Sequence, residues 1–143
     1  GETVNASITI EHVETGRTWT IPITGQTGAA VKNAVALVLD RSGSMKQDRG
    51  DGLSKMQSLR SAVKAFVDLM IDGDAAALIR YNEDAQEVLP MTTVGTAHPM
   101  ASNNLKNTVD GADFDPVGFT SIGDGIAKGR AALNSATNLD TNP

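Results

Sequence analysis

The 143-residue sequence contains no cysteine and only two histidines, His12 and His98. The first absence excludes disulfides, thiolate metal sites and cysteine nucleophiles. The second leaves little material for a histidine zinc centre or a serine–histidine–aspartate triad, because the two rings are far apart in sequence and have no carboxylate at metal-ligand spacing. Both histidines are read as surface residues. Long apolar runs are missing as well. No stretch approaches the roughly 18 residues that a bilayer span needs. The opening GETVNASITI lacks a charged segment followed by an apolar one, so no membrane insertion is expected. There is no basic cluster either. Twelve Lys and Arg stand against 17 Asp and Glu, a net charge of -5 and a sequence pI near 4.8, which makes nucleic acid a poor partner.

What is present suits a folded domain. Hydrophobic residues make up 40%, and the 14 glycines bring the apolar share to about half. At 14.9 kDa a compact chain buries roughly two thirds of its unfolded surface. The length fits one domain, or one domain with a small appendage.

Two periodicities divide the chain. From Ser7 to Ile23 apolar residues alternate, with Ile8 and Ile10, then Trp19, Ile21 and Ile23, around Glu14-Thr15-Gly16-Arg17. That pattern predicts a β-hairpin turning at Thr15-Gly16. The following TGQTGAA has linker composition, so residues 1–30 are expected to be a hairpin and linker. An isolated hairpin is marginal in water, so it is expected to pack on the rest of the chain or, the favoured alternative, to belong to a neighbouring β-domain. Residues 31–143 follow a different plan. Val35 to Leu39, ending at Asp40, read as a central parallel strand buried on both faces. Leu53, Met56, Leu59, Val63, Phe66, Val67 and Met70 recur every three or four residues, the face of an amphipathic helix that stops at Gly73. Ala75–Tyr81 is a second strand, and Gln86–Met91 returns beside it after Asn82-Glu83-Asp84. His98-Pro99 opens a weak helix ending near Gly111, and Ser121 caps another that carries Ile122, Ile126, Arg130 and Leu133. Alternating strands and helices predict an α/β doubly wound sheet, whose ligand site lies beyond the carboxyl ends of its strands.

Just past Leu39 the sequence reads Asp40-Arg41-Ser42-Gly43-Ser44-Met45. One carboxylate and two hydroxyls at alternate positions can aim their oxygens at one centre, a partial cage for a hard cation such as Mg²⁺. The same residues also suit a hydrogen-bonded turn. Other signals are weaker. Gly123, Gly125 and Gly129 have the wrong spacing for a dinucleotide fingerprint and are read as flexibility at a helix start. Arg49-Gly50-Asp51, a tripeptide that adhesion receptors recognise, is read as a solvated loop. A phosphoryl-accepting role for Asp40 is disfavoured, because Ser42 stands where a second aspartate would serve as general acid.

VALVLDRSGSM resembles the first strand and metal loop of the von Willebrand factor A domain, with its Asp-x-Ser-x-Ser metal-ion-dependent adhesion site. KMQSLRSAVKAFVDLM, AAALIRYNEDAQEVLPMT and GFTSIGDGIAKGRAAL follow in the family's order, over about residues 33–135. The flavour is similar to bacterial surface members and to the calcium-activated chloride channel regulator family, although Tyr81 stands where phenylalanine is common. The resemblance implies that Asp40, Ser42, Ser44 and, from a second loop, Thr120 ligate Mg²⁺, with Mn²⁺ or Ca²⁺ as substitutes. It implies no counterpart here for the third-loop aspartate, because Asp124 lies inside the helix opening and the chain ends at Asn138-Leu139-Asp140-Thr141-Asn142-Pro143. The family sheet runs 3-2-1-4-5-6, so residues 31–143 are expected to be the N-terminal portion of such a domain, truncated before the fourth core strand. A companion fragment, a swapped second copy or further chain beyond Pro143 is expected to complete the sheet. The implied function is a non-enzymatic adhesion or protein-interaction module, extracellular or at the cell surface, that binds a protein partner's Asp or Glu through the metal. The alternative is a structural scaffold domain within a larger secreted enzyme or assembly.

Overall fold

The computed structural model of the chain describes residues 2–26, 28 and 31–136. It divides into two compact units, 1–31 and 32–143.

The first unit is an antiparallel ribbon of β1 (Thr3–His12) and β2 (Arg17–Gln26). The turn closes where Thr15-Gly16 predicts: Thr15 N and Gly16 N both donate to His12 O, and Gly16 takes φ 62°. β2 runs through Thr24, Gly25 and Gln26, so the first three residues of the expected linker are strand instead. Their pairing with Asn5, Val4 and Thr3 satisfies backbone groups that a linker would leave to water. Opposed residues share a face. Val4, Ala6, Ile8 and Ile10 therefore lie with Gly25, Ile23, Ile21 and Trp19, while Thr, Ser, Asn and Pro22 occupy the other side. Every strand residue of this ribbon is exposed.

The second unit has a three-stranded sheet in the order β3 (Ala34–Asp40), β4 (Ala75–Tyr81), β5 (Ala85–Thr93). β3 and β4 are parallel in register, pairing Asp40 with Tyr81, and β5 is antiparallel to β4. The helices are α1 (Lys55–Asp68), α2 (Pro99–Thr108) and α3 (Ile122–Ser135). α1 starts at a capping box: Ser54 Oγ accepts from Gln57 N, and Gln57 Oε1 accepts from Ser54 N. On one face of the sheet Ala76 and Leu78 join Val63, Val67, Leu105, Val109 and Phe114 in the main core. On the other, Ala77 and Ile79 meet Ala132 of α3.

Burial differs from the sequence reading in two places. β4, not β3, is the strand buried on both faces, whereas β3 from Val35 to Val38 is only half-buried and Leu39 alone is fully enclosed. The reason is topological: β4 has a partner on each side, while β3 has none on its outer side among the described residues. α3 likewise does not bury Ile122, Ile126 and Leu133, which are exposed; Gly125, Gly129 and Ala132 face the sheet. The glycines serve close approach and not flexibility. A Cβ on Gly129 would sit 2.5 Å from Val38 Cγ2, and one on Gly125 2.8 Å from Tyr81 Cδ1.

Candidate functional site

Three chain segments meet at the carboxyl end of β3 and β4. The first is the loop after β3, which enters a short 3₁₀ turn at Gly43–Lys46. Ser42 N donates to Asp40 Oδ1 at 2.6 Å, and the Ser42 and Ser44 hydroxyls lie 3.1 Å apart. Ser42 is almost fully buried, Asp40 partly so, and Ser44 is exposed. The Asp40 turn and the paired hydroxyls coexist, so the turn and cage readings of this loop are not exclusive. Asp40 Oδ2 has no hydrogen-bond partner among the described residues, so the loop offers one carboxylate oxygen and two hydroxyls. Such a donor set, all oxygen and partly charged, fits a hard divalent cation.

The second segment, residues 117–121, carries Thr120. It is tied to the first by backbone bonds: Val117 N donates to Arg41 O at 2.8 Å, and Gly43 N donates to Gly118 O at 2.9 Å. Gly118 takes φ 77°, a conformation that side chains rarely adopt. Thr120 itself is exposed, and no hydrogen bond joins its hydroxyl to Asp40, Ser42 or Ser44 among the described residues. The structure thus brings the first three expected ligands together, and sets Thr120 on a loop that is bonded to theirs.

The third segment is the β4–β5 turn. Arg41 N donates to Tyr81 O, and Ser121 N donates to Asn82 O at 2.5 Å. Burial pushes the Tyr81 phenol above its ordinary value, and the Asp40 carboxylate beside it adds to the rise because it disfavours a second negative charge. Ser121 stands at the start of α3, but its side chain does not cap the helix; Ser121 Oγ donates to Asp124 Oδ2 at 2.6 Å. Asp124 is thereby engaged within its own helix opening. The tail 137–143, where a third loop was sought in the sequence, lies outside the described residues. Among the described residues no three His, Cys, Asp or Glu side chains converge, so a cation here would depend on hydroxyls.

The Arg49-Gly50-Asp51 loop is exposed. Asp48 Oδ1 accepts from Gly50 N and Gly52 N, and Arg49 Nη2 pairs with Asp51 Oδ2 at 3.3 Å. The arginine and aspartate are spent on each other and on Ser58, whose hydroxyl accepts from Arg49 Nη1, in keeping with a solvated loop.

No curated protein matches the chain. Among solved structures, it is similar to the PilB minor pilin from Streptococcus sanguinis (TM-score 0.58, 18% identity, covering 93% of this chain and 40% of that one). A second is the von Willebrand factor type A protein from Catenulispora acidiphila (TM-score 0.57, 22% identity, 88% and 25%). A third comprises three N-terminal domains of the type V pili tip protein Mfa5 from Porphyromonas gingivalis (TM-score 0.61, 17% identity, 95% and 24%). These likenesses are of fold, and the chain spans well under half the length of each of the three. A family model for the von Willebrand factor type A domain matches residues 35–142. Together with the parallel β3–β4 pair, the antiparallel edge strand β5 and the loop that follows Asp40, this match shows that the chain belongs to the von Willebrand factor type A domain family.

Proposed function

We propose that this chain is a non-enzymatic adhesion or protein-interaction module, and that Asp40, Ser42, Ser44 and Thr120 hold Mg²⁺, with Mn²⁺ or Ca²⁺ able to replace it. The observation that carries the reading is a loop at the end of a parallel strand that offers Asp40 Oδ2, without a hydrogen-bond partner among the described residues, and two hydroxyls 3.1 Å apart. One carboxylate offsets half of a divalent charge. The ion retains a net positive charge, and an Asp or Glu from a protein partner is the favoured completing ligand. Ser42 N holds Asp40 in place, Ser42 and Ser44 supply neutral oxygens, and Thr120 would add a third from the 117–121 loop that is bonded to theirs. The likeness to a minor pilin and a pili tip protein supports an extracellular or cell-surface setting.

Calorimetric titration of the chain with Mg²⁺ and Mn²⁺ tests the site. Asp40→Ala is expected to weaken binding about tenfold or more, and Ser44→Ala only a few-fold, because affinity follows ligand charge. Equal effects, or undiminished binding in Asp40→Ala, would sink the assignment. A chelator separates adhesion from the scaffold reading: adhesion requires that partner binding be lost with the unfolding temperature nearly unchanged, and a large fall in that temperature favours the scaffold.

The open side of β3 supports a second element of the reading. The strand is half-buried, and exposed Phe66 and Leu69 line a groove with Ala34 and Val35 at its start. An apolar parallel strand with no partner on its outer side among the described residues is one that native proteins cover. A companion fragment or a second copy of the chain would pair there. Intact mass combined with sedimentation velocity decides this. A dimer or a second polypeptide is expected, and a homogeneous monomeric 14.9 kDa species would refute it.

A further inference from the structure

Asn82 is the first residue after β4, and it is buried at 6% exposure although it ends a strand beside an exposed turn. Its side-chain amide is oriented by a neighbour. Arg80 Nη1 donates to Asn82 Oδ1 at 3.4 Å, which turns Nδ2 toward residues 117–121, where it donates to Val117 O at 3.3 Å. The main chain of Asn82 grips the same segment from its other end, accepting from Ser121 N, and is itself held by Asn82 N donating to Asp84 O. Asn82 therefore bonds both ends of the five-residue stretch that carries Thr120. Its Nδ2 also closes off the space over Gly118: a Cβ there would come within 3.1 Å of it. The other bonds holding this stretch, from Val117 N to Arg41 O and from Gly43 N to Gly118 O, are backbone to backbone. No other side chain among the described residues hydrogen-bonds to residues 117–120.

We propose that Asn82 is a positioning residue for the metal site, acting through the 117–121 loop to set Thr120 against Asp40, Ser42 and Ser44. Its side chain hydrogen-bonds to none of the four expected ligands among the described residues, and the inference rests on the metal reading above. Removing the amide frees Val117 O and lets the loop open at its first residue while leaving Asp40, Ser42 and Ser44 as they are. The whole chain is titrated with Mn²⁺ as wild type, Asn82→Ala, Thr120→Ala and the double variant, with near-isosteric Asn82→Leu as a second replacement should Asn82→Ala fail to fold. Losing one hydrogen bond's worth of loop order is expected to weaken Mn²⁺ binding about three- to tenfold in wild-type background, with no further loss in Thr120→Ala. Equal losses in both backgrounds, or an unchanged affinity, would overturn the role. A second measurement is independent of metal. Amide hydrogen exchange at Ser121 and Gly43 should quicken at least about tenfold in the variant while Ile79 within β4 keeps its rate. Uniform quickening, or none, overturns the proposal. Should the wild-type chain take up no Mn²⁺, the metal reading fails on its own, and exchange still decides whether Asn82 sets this loop.

Discussion

Asp74 shows how a single carboxylate holds the end of the sheet opposite the metal loop. It is buried, which alone would raise its pKa, but its oxygens accept from Asn33 N at 2.8 Å, Ile71 N at 3.0 Å and Asn33 Nδ2 at 3.4 Å, and together these bonds hold it below the ordinary 3.8. A depressed folded-state pKa stabilises the protein at pH values above the unfolded one, and that contribution is lost as pH falls through the folded value. Asp74→Ala is expected to cost about 2–3 kcal/mol at neutral pH, since two backbone amides lose a charged acceptor. The deficit should shrink in urea titrations as pH drops below about 3.8. A deficit that stays constant from pH 7 to 3 would show that the charge is not what matters. Nothing in the sequence marks Asp74 apart from Asp72 two residues earlier, because its bonds to Asn33 come from across the chain and only Ile71 N is local. Asp40 is the contrary case, legible because Ser42, whose amide it accepts, is two residues away and Ser44, bonded to the Ser42 hydroxyl, is four.

At the scale of elements, α3 carries the clearest discrepancy between pattern and packing. Its apolar periodicity at Ile122, Ile126 and Leu133 marks a stripe that the described structure leaves exposed, while an adjacent stripe of Gly125, Gly129 and Ala132 lies on the sheet. Small residues let the helix sit close against Val38 and Tyr81. Substitutions within one helix should therefore have opposite signs. Gly125→Ala and Gly129→Ala are expected to destabilise by about 1–3 kcal/mol through overpacking against a β-branched side chain and an aromatic ring, exceeding the propensity gain of roughly 1 kcal/mol. Gly123→Ala, which meets nothing within 4 Å, should be neutral or stabilising by up to about 1 kcal/mol. Urea unfolding midpoints of the three variants check this, and equal effects would contradict the close approach. α1 was more open to reading. Its apolar face places Met56, Val63 and Val67 in the core, and Ser54-Lys55-Met56-Gln57 carries the serine and glutamine of its capping box in plain order. The apolar stripe alone does not mark that cap, which lies in the residues flanking it.

Across the whole molecule, the two units differ in kind. The ribbon of β1 and β2 places six large apolar residues on one face, and all of its strand residues are exposed. A two-stranded ribbon seldom holds such a face in water alone, so we propose that it belongs with a neighbouring β-domain. If the ribbon is independent of the metal loop, removing residues 1–24 should leave Mg²⁺ affinity within about twofold of the full chain, as expected for sites without shared partners. A collapse of affinity on calorimetry would make the ribbon part of the site's framework.

The local chemistry was readable in one dimension. Strand and helix periods, the Thr15-Gly16 turn and the Asp40-Ser42-Ser44 oxygens each depend on residues a few positions apart, so the chain's order alone specifies them. What required the folded chain were the contacts between distant segments. These make β4 and not β3 the enclosed strand, seat α3 on its glycines, and join residues 117–121 to Arg41, Gly43 and Asn82. Most of those ties use backbone amides and carbonyls, which every residue but proline carries alike. Their pairing is decided by where the strands end in space, and residue identity says little about it.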